Sequence, residues 1–386
     1  MTRLLLTGDT HLGKGAHLYP GRLADQEAAW AATLELARAR ECDAVLHAGD
    51  LFDSRRPSPE ALVAAERPLA YHRALDACPV HVIAGNHDIP ALGGACGLDV
   101  LAEAGLVIAW REPGDTFVGG AGPGGGVWVG FLPWAPVSRL VAELAIDDRD
   151  EVWALGADVV GRIADDLGAS IDTAARMAPK ILVGHWSVTG ASLPSGLPVE
   201  HVREVIVDRE RLEAQGWAAV VLGHIHRPGN VAGSPTVFYT GSPICLDHGE
   251  AGVPHGVLVY DVEADTLERV ELEAPAFVTL EGHEHEAWKE ADVAGNVVRV
   301  RGAVTAEAAA GLDYAGMRAA LASVGALAAD LQITVERPER VAGAAAELEL
   351  EAREQLGAWL EREGHDRERV ARLLAMADPY LEQVRA

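Results

Sequence analysis

Five short motifs that combine glycine with aspartate, asparagine or histidine stand out in the first 226 residues. In chain order they are Gly8-Asp9-Thr10-His11, Gly49-Asp50, Gly85-Asn86-His87-Asp88, Gly184-His185 and Gly223-His224-Ile225-His226. Carboxylate, amide and imidazole groups are metal ligands. A mixed oxygen and nitrogen set without thiolate suits Mn²⁺, Fe²⁺ or Zn²⁺ better than Mg²⁺, Ca²⁺ or Cu⁺. Ligand type by itself does not choose among the three.

The motifs offer more ligands than one ion can use, namely two carboxylates, one amide and four or five imidazoles. A carboxylate such as Asp50 can bridge two ions about 3.5 to 4 Å apart, and such a pair stabilises both the attacking and the leaving oxygen of an in-line phosphoryl displacement. Each motif alone is also an ordinary strand-end turn. The five together predict a dinuclear site for phosphoryl transfer.

Each motif directly follows a short apolar run of the kind that forms a buried strand. The five runs are Arg3 to Thr7, Ala44 to Ala48, Val80 to Ala84, Lys180 to Val183 and Ala219 to Leu222. Because the carboxyl ends of strands in an α/β sheet lie on one edge, we expect the motifs to converge there. Glycine is expected to let the chain turn sharply at that edge, and alternate residues of each motif can face one site.

Helical patterns alternate with these strands, which indicates an α/β layer fold over the first two thirds of the chain. Leu23 to Arg40 and Pro59 to Ala77 are predicted to be helices, the second with Ser58 as its N-cap. The glycine-rich stretch from Gly119 to Gly126 lacks the Lys-Ser/Thr pair of a phosphate-binding loop and opens no helix. We expect it to be a hairpin loop.

A composition shift near Pro275 predicts a second domain. Val297 to Arg301, a helix from about Asp313 to Val324 and Leu331 to Glu336 are expected to form a small β-α-β unit. The predicted domains are residues 1–274 with the five motifs, 275–338 with the β-α-β unit, and 339–386 with two helices.

The two terminal helices, Ala344 to Glu363 and Asp366 to Val384, are separated by Gly364-His365 and each carries an apolar stripe. The stripes consist of Leu348, Leu356, Trp359 and Leu360 in the first helix, and of Val370, Leu373, Leu374, Met376, Tyr380, Leu381 and Val384 in the second. Such a pair either closes on its own body as a hairpin or offers an apolar surface to a partner.

Composition limits the possible functions. Apolar residues are 49% of the chain and charged residues 23%, which excludes wholesale disorder. With 32 basic and 58 acidic residues the formal net charge is −26, which argues against broad attraction to nucleic acid or to anionic membranes. No uncharged apolar run reaches the roughly 18 residues of a membrane span and the start lacks a signal-peptide pattern, so we expect a soluble, cytoplasmic protein with no membrane contact.

The motif order resembles that of the calcineurin-like metallophosphoesterases. Gly49 to Pro59 and Tyr239 to Pro243 are similar to the SbcD-like nuclease subunits of that superfamily, relatives of the meiotic double-strand-break nucleases. The resemblance implies a two-sheet sandwich flanked by helices, with a small β-α-β capping domain and a C-terminal helical hairpin. It also implies a manganese-dependent DNA nuclease that acts as a duplex 3′-5′ exonuclease and as a single-strand or hairpin endonuclease.

The resemblance assigns the site residues. One ion is implied on Asp9, His11, Asp50 and His226, and the other on Asp50, Asn86, His185 and His224. The ions are expected to be two Mn²⁺, with Fe²⁺ or Zn²⁺ as alternatives. His87 is implied to stabilise the phosphorane or to protonate the leaving 3′-oxygen, and Asp88 is expected to orient its imidazole through a hydrogen bond. Asp53 and His248, where relatives carry other residues, receive no role.

Partners are implied as well. The exposed-loop arginines Arg55, Arg56 and Arg227 lie within a few residues of ligands, and are either solvated charges or contacts to DNA phosphates. In the family the C-terminal helices bind the coiled-coil base of an SbcC-type ATPase, and the protein is a homodimer that acts at the nucleoid. Gly282-His283-Glu284-His285 mimics the last motif, but it lies at the domain junction and is expected to be a surface turn.

Two other functions stay open. A small-molecule or cyclic-nucleotide phosphodiesterase would share the metal site, although it has little need of the β-α-β unit and the terminal helices. A scaffold protein without catalysis is opposed by the presence of His87.

Overall fold

The computed structural model describes residues 1–90, 93–119, 125–140, 149–174, 178–282, 293–336 and 352–383. The strands up to the middle of the chain are β1 (Arg3–Thr7), β2 (Ala44–His47), β3 (Val80–Ile83), β4 (Ile108–Trp110), β5 (Gly114–Val118), β6 (Val127–Leu132), β7 (Lys180–His185), β8 (Ser187–Val188) and β9 (Ile206–Val207). The later strands are β10 (Ala219–Gly223), β11 (Gly229–Asn230), β12 (Val237–Tyr239), β13 (Val257–Asp261), β14 (Thr266–Val270), β15 (Phe277–Glu281), β16 (Val297–Thr305) and β17 (Ala328–Glu336).

The α-helices are α1 (Arg22–Ala39), α2 (Pro59–Ala74), α3 (Gly97–Glu103), α4 (Val137–Leu140), α5 (Arg149–Ala174), α6 (Arg209–Ala214), α7 (Ala306–Ala309), α8 (Tyr314–Ser323), α9 (Ala352–Arg362) and α10 (Arg367–Gln383). No helix in the described ranges is long and apolar enough to cross a membrane.

Two six-stranded sheets hold the motifs. The first has the order β14-β13-β1-β2-β3-β4, and the second has the order β11-β12-β10-β7-β6-β5. In the first sheet β1 to β4 are parallel, with Leu6 of β1 opposite Leu46 of β2. β13 pairs antiparallel with β1 on one side and with β14 on the other. In the second, β12, β10, β7 and β6 are parallel, and the edge strands β5 and β11 are antiparallel.

Strand alternation explains how the layers form. Successive side chains of a strand point to opposite faces of its sheet. Leu4 and Leu6 of β1 therefore belong to the core between the two sheets, together with Val183 of β7. Leu5 points the other way and packs with Trp30 of α1 on the outer face. The second sheet is covered in the same manner, because apolar residues of α5 spaced three or four apart are buried against it, namely Val160, Ala164, Leu167 and Ile171.

This arrangement confirms the predicted fold class, a two-sheet sandwich flanked by helices. One expectation was wrong in detail, because the five motif strands do not share one sheet: β1, β2 and β3 lie in the first sheet, and β7 and β10 lie in the second. The motifs meet where the carboxyl ends of both parallel sets face each other across the sandwich.

Local predictions in this region agree with the structure. Both predicted helices form within a few residues of their expected bounds, and the Ser58 side chain accepts the backbone N–H of Ala61 as an N-cap. β5 and β6 pair antiparallel as a hairpin. Most of the predicted loop between them lies outside the described residues.

The C-terminal region contains a three-stranded sheet with the order β15-β16-β17. Its strands β16 and β17 with the helix α8 match the predicted β-α-β unit, and β15 is an additional strand that the sequence pattern did not indicate. The helices α9 and α10 correspond to the predicted terminal pair. Residues 283–285 of the second Gly-His-x-His stretch and residues 344–351 of the first terminal helix lie outside the described part.

The chain divides into two compact units. One consists of residues 1–280, 284–299 and 318–330, and the other of residues 281–283, 300–317 and 331–386. The predicted domain boundaries at residues 275 and 339 stay a prediction.

Candidate metal centre

Several ligands adopt a backbone conformation that non-glycine residues rarely use. Asp9, His11, Asp50 and His224 all have positive φ, between 47° and 89°. Such residues carry strain of about 1–3 kcal/mol each, and they persist where the surrounding structure holds them. Here the backbone N–H of Asp9 donates to the Gly49 carbonyl at 2.9 Å, and that of His11 donates to the Asp50 carbonyl at 3.0 Å. The first two motifs therefore hold each other in place.

Two of the motif glycines are needed because neighbouring atoms leave no space for a side chain. A Cβ at Gly85 would collide with the carboxylate and the backbone N of Asp50, and one at Gly223 would collide with the Ala48 carbonyl. Neither of these glycines has a positive φ. The expectation that glycine bends the chain at each motif is thus corrected at these two positions, where the missing side chain lets neighbouring strand ends approach closely.

The first ligand cluster consists of Asp9, His11 and His226. Their ligand atoms all lie within 4.8 Å of one another. Nε2 of His11 is 3.1 Å from Nε2 of His226. Two ring nitrogens that face each other this closely need a proton or a cation between them, because both cannot present lone pairs at that distance without repulsion.

The second ligand cluster consists of Asn86, His185 and His224. Oδ1 of Asn86 lies 3.0 Å from Nε2 of His185 and 3.0 Å from Nδ1 of His224. The structure thus collects one amide oxygen and two imidazole nitrogens at one point. His185 is fully buried, whereas 22% of the His224 side chain is exposed. The open side of the centre is the side of His224.

Asp50 lies between the two clusters. Its Oδ2 is 3.5 Å from Nε2 of His11 and 3.4 Å from Nε2 of His185, one imidazole from each cluster. Its Oδ1 accepts the backbone N–H of His87 at 2.8 Å, which fixes the orientation of the carboxylate. Burial opposes ionisation, yet the imidazoles of His185 and His11 hold the pKa of Asp50 well below its ordinary value. Asp50 therefore stands where a carboxylate that bridges two cations would stand.

Every imidazole of the two clusters has an outer hydrogen-bond partner on its other ring nitrogen. The pairs are His11 Nδ1 with Asp53 Oδ1 (3.2 Å), His226 Nδ1 with Glu250 Oε1, His224 Nε2 with Glu204 Oε2 (2.9 Å) and His185 Nδ1 with the Ala48 carbonyl (2.7 Å). Such partners fix the ring orientation and raise the basicity of the inner nitrogen. The arrangement leaves Nε2 of three imidazoles and Nδ1 of His224 for a cation.

Sequence reasoning missed Glu204 and Glu250. Glu250 is 3% exposed, and it also accepts the backbone N–H of Leu246 at 3.0 Å. The sequence feature that could have identified Glu250 is its position at the end of Asp247-His248-Gly249-Glu250, shortly after the Tyr239 to Pro243 stretch. Glu204 accepts the Ser187 hydroxyl at 2.6 Å, and it lies in a segment without any motif. Asp53, for which no role was expected, supports His11.

The expected role of Asp88 is wrong. Its carboxylate accepts the backbone N–H groups of Gly85 (2.9 Å), Asp50 (2.8 Å) and Phe52 (3.1 Å). Burial raises the pKa of Asp88, and the negative charge of Asp50 adds to that rise, while the N–H donors of Gly85 and Phe52 oppose it. Asp88 thus ties the second and third motifs together through their backbones.

His87 is oriented by another group. Its Nδ1 lies 2.9 Å from the Asp53 carbonyl oxygen, to which it donates as an N–H. Its ring meets that of His11 edge-on, with the centroids 4.8 Å apart. With Nδ1 bound to the carbonyl, Nε2 is the nitrogen that can exchange a proton with a substrate. This geometry agrees with a proton-transfer role for a half-buried imidazole.

The residues present fit two divalent cations. Seven donor groups converge in two clusters that share one carboxylate, and Asp9 and Asp50 are buried carboxylates without an arginine or lysine on them in the described contacts. Buried charges need compensation, and metal ions are one way to supply it. The donor set of carboxylate, amide and imidazole groups agrees with the ligand preference predicted from the sequence.

A third group of metal-ligating types does not fit. Cys245, Glu250 and His255 have ligand atoms within 4.8 Å of one another. However, Glu250 is bonded to His226, and burial raises the pKa of the Cys245 thiol to about 12, so it stays protonated and donates to the Asp247 carbonyl. A thiol must be deprotonated to bind a metal.

The three loop arginines are exposed. Nε of Arg55 donates to the Asn86 carbonyl at 3.3 Å, which keeps its guanidinium beside the second ligand cluster. The His248 ring meets that of Phe277 edge-on, with the centroids 5.0 Å apart.

Comparison with known proteins adds the family context. A sequence model of the calcineurin-like phosphoesterase family matches residues 2–228. The SbcD chain of the SbcCD nuclease of Bacillus subtilis is 29% identical over 265 residues, which cover 68% of this chain and 66% of that protein, and the corresponding protein of Rhodobacter capsulatus is 29% identical over 290 residues, covering 69% and 68%. "DNA double-strand break repair protein Mre11" of Methanosarcina acetivorans is 38% identical over 104 residues, which cover 27% of this chain and 16% of that protein. The chain spans about two thirds of the length of the SbcD proteins that it matches.

Proposed function

The chain belongs to the calcineurin-like phosphoesterase family, and we propose that it is a dinuclear-metal nuclease that hydrolyses the phosphodiesters of DNA. The observation that carries the proposal is the position of Asp50 Oδ2, 3.5 Å from His11 Nε2 and 3.4 Å from His185 Nε2. Two divalent cations held by the two ligand clusters would supply charge neutralisation at the phosphate and activation of a water nucleophile.

His87 would deliver the proton that the leaving 3′-oxygen requires. Its Nδ1–H is committed to the Asp53 carbonyl, so Nε2 is the ring nitrogen that can carry that proton. A positioned general acid contributes about 10²–10⁴-fold to the rate. The outer partners Asp53, Glu204 and Glu250 hold the ligand imidazoles in position.

We propose two Mn²⁺ as the working ions, with Fe²⁺ or Zn²⁺ as the alternatives. The donor set supports all three, because imidazole and carboxylate ligands occur together for each of them. Equilibrium dialysis of the chelator-treated protein with each metal, followed by a nuclease assay, would distinguish them.

DNA is the proposed substrate. Two kinds of relative support it. The protein named as a nuclease subunit matches 68% of this chain, and the protein named for DNA double-strand break repair matches 104 residues of it. The proposed activities are 3′-5′ exonuclease action on duplex ends and endonuclease action on single strands and hairpins. Incubation of end-labelled duplex, hairpin and single-stranded DNA with each metal, with and without chelator, tests all three. Turnover of bis-nitrophenyl phosphate without any cleavage of DNA would favour a small-molecule phosphodiesterase.

Arg55, Arg56 and Arg227 are proposed to hold the DNA backbone. A chain with a net charge of −26 repels a polyanion, so positive groups beside the centre must act locally. The Arg55→Ala, Arg56→Ala double variant should bind duplex DNA more weakly, with a salt dependence whose slope falls by about one per lost contact. Hydrolysis of a small phosphodiester should not change. Arg162→Ala, which removes an exposed arginine paired with Asp158 on α5, serves as the control.

The terminal helices are proposed to bind an SbcC-type coiled-coil ATPase. Leu360 of α9 and Val370 of α10 are only 5% and 6% exposed, whereas Trp359 is 49% exposed and Met376 is 67% exposed. An exposed tryptophan and methionine on a pair of helices whose Leu360 and Val370 are buried support a partner surface.

The Trp359→Ala, Met376→Ala variant should lose co-purification with such an ATPase, while Glu361→Ala, a change at an exposed polar position of α9, should keep it. Folding is checked by circular dichroism, since both altered side chains are solvent-exposed. Retained co-purification by the double variant would overturn the partner surface.

We further propose that the protein is a homodimer that acts at the nucleoid, and that residues 1–274, 275–338 and 339–386 are its nuclease, capping and partner-binding domains. Sedimentation at several protein concentrations tests the first point. Limited proteolysis between the proposed domains tests the last.

A further inference from the structure

A cavity of about 160 Å³ opens beside the second ligand cluster. Its walls include three tryptophans, Trp134, Trp153 and Trp186. We call it the tryptophan cavity. It is unlike the surroundings of the ligands, where the side chains are mainly carboxylates and imidazoles.

The tryptophan cavity adjoins the metal centre directly. Asn86 and His224, which belong to the second ligand cluster, also line the cavity. A phosphodiester held at that cluster therefore has the cavity within the reach of the groups attached to its phosphate. A group that binds there can therefore belong to the nucleotide next to the bond that is cut.

The aromatic walls are held in place by the fold. Trp186 is 4% exposed, and its indole N–H donates to the Leu132 carbonyl at 3.1 Å. Trp134 donates its backbone N–H to the Ala84 carbonyl at 2.9 Å, and its ring lies 6.5 Å from that of Trp186 with 27° between the planes. Rigid aromatic faces bind flat aromatic groups at little entropic cost.

One acidic side chain selects the kind of group that can enter. Glu204 lines the tryptophan cavity, with one oxygen on His224 and the other on the Ser187 hydroxyl. A second phosphate would be repelled by this carboxylate, whereas the amino group of a nucleobase could donate to it. Flat, apolar faces with an acceptor at the wall are the surroundings that a nucleobase requires.

We propose that the tryptophan cavity binds the nucleobase of the nucleotide next to the scissile phosphate, by stacking on Trp153. The proposal rests on the proposed nuclease function and adds to it a base-binding subsite. Stacking on an aromatic side chain accepts any base, so the subsite would anchor single-stranded DNA without reading its sequence. It would also supply affinity that a chain of this net charge cannot gain from phosphates alone.

The first test uses single-stranded oligonucleotides in which one nucleotide is replaced by an abasic analogue, moved one position at a time. In the wild-type protein, cleavage at a phosphate next to the abasic position should fall by about 5-fold or more, the amount expected for one lost stack. In Trp153→Ala the same substitution should make almost no difference, and Trp153→Phe should restore the wild-type sensitivity.

The matched control is Phe117→Ala. Phe117 is an aromatic residue of β5 that is 46% exposed and does not line the tryptophan cavity. This variant should keep the wild-type response to abasic positions. A phosphate next to an abasic position should be cleaved at the same rate by the wild type and by Trp153→Ala, because no base is there to stack, which shows that the variant is folded and keeps its metal centre.

The second test measures binding without turnover. Calorimetry on the metal-loaded protein should give a dissociation constant for deoxythymidine 5′-monophosphate at least about 5-fold lower than for deoxyribose 5-phosphate. In Trp153→Ala the two constants should become nearly equal. Equal constants in the wild type, or cleavage of DNA that is indifferent to abasic positions, would overturn the subsite. Hydrolysis of bis-nitrophenyl phosphate without any cleavage of DNA would instead overturn the proposed nuclease function.

Discussion

Glu250 is predicted to control how tightly the first ligand cluster holds its ion. The residue is buried, with 4% of its side chain exposed, and its Oε1 is bonded to Nδ1 of His226 while Oε2 accepts from Leu246 and Ser242. Burial opposes its ionisation, yet the bond to His226 holds the pKa of Glu250 below its ordinary value. The ionised Glu250 carboxylate therefore raises the basicity of Nε2 of His226, the nitrogen that would bind the ion.

Glu250→Gln keeps the shape and one acceptor oxygen but removes the charge. A hydrogen bond to a charged group is worth about 1.5–3 kcal/mol and a neutral one about 0.5–1.5 kcal/mol. The loss of about 1–1.5 kcal/mol in the interaction with the metal-bound imidazole corresponds to about a 5- to 15-fold weaker affinity for the ion. Removal of such outer partners typically weakens metal affinity by about 10–100-fold, so the expected effect lies near the lower end of that range.

Glu204→Gln provides the comparison on the second cluster. The Glu204 and His224 side chains are 23% and 22% exposed, against 4% and 18% for Glu250 and His226. Water screens an exposed pair more strongly, so Glu204→Gln should weaken its ion less than Glu250→Gln does. Competitive titration with a chromogenic chelator measures both affinities, and the thermal midpoint of each chelated variant reports its folding. An affinity in Glu250→Gln equal to that of the wild type would refute the reasoning, as would a larger effect from Glu204→Gln.

Three further outcomes are expected. His87→Ala should keep two metals per chain and lose about 10²-fold or more in the rate of DNA cleavage, whereas Asp50→Ala should lose metal as well. Metal analysis and nuclease assays measure both effects. A loss of metal in His87→Ala would contradict the assignment of His87 as a residue that does not bind metal. Asp88→Asn should lower the free energy of unfolding by about 3 kcal/mol in urea, because an amide cannot accept all the backbone N–H groups that now point at the carboxylate. Burial lowers the pKa of His81 to about 4, and its Nδ1 accepts the indole N–H of Trp110, so protonation is disfavoured in the folded state. Stability should therefore fall by up to about 3 kcal/mol as the pH drops from about 6.5 to 4, and His81→Gln should flatten this slope in urea titrations at each pH.

Local pattern was enough to predict the strands and the potential ligands that follow them. Each of the five runs is four or five residues long and mainly apolar, and it is followed at once by a glycine and a potential ligand, so strand and ligand are encoded within about ten residues. The helices α1 and α2 follow from the same local periodicity. The residues that follow a strand lie at its carboxyl end, and the carboxyl ends of parallel strands lie on the same side of the fold. The convergence of the motifs was therefore predictable before their sheets were known.

Other features depend on contacts between residues far apart in the chain. The sequence offered no means to see that β1, β2 and β3 belong to one sheet and β7 and β10 to another, because strand pairing depends on how whole layers pack. The same holds for Asp88, which was expected to hold the imidazole beside it and instead accepts backbone N–H groups of Asp50 and Phe52, more than thirty residues earlier.

The outer hydrogen-bond partners of the ligands show most clearly which features depend on the tertiary structure. Glu250 reaches His226 across 24 residues and Glu204 reaches His224 across 20 residues, with strands in both intervening stretches and the helix α6 in the second. The tryptophan cavity joins Trp134, Trp153 and Trp186 from three different segments. A local pattern specifies which residue follows a strand, since backbone geometry carries it there. Which acid or ring then lies beside that residue is decided by the path of the loops and the packing of the layers, and these exist only once the chain has folded.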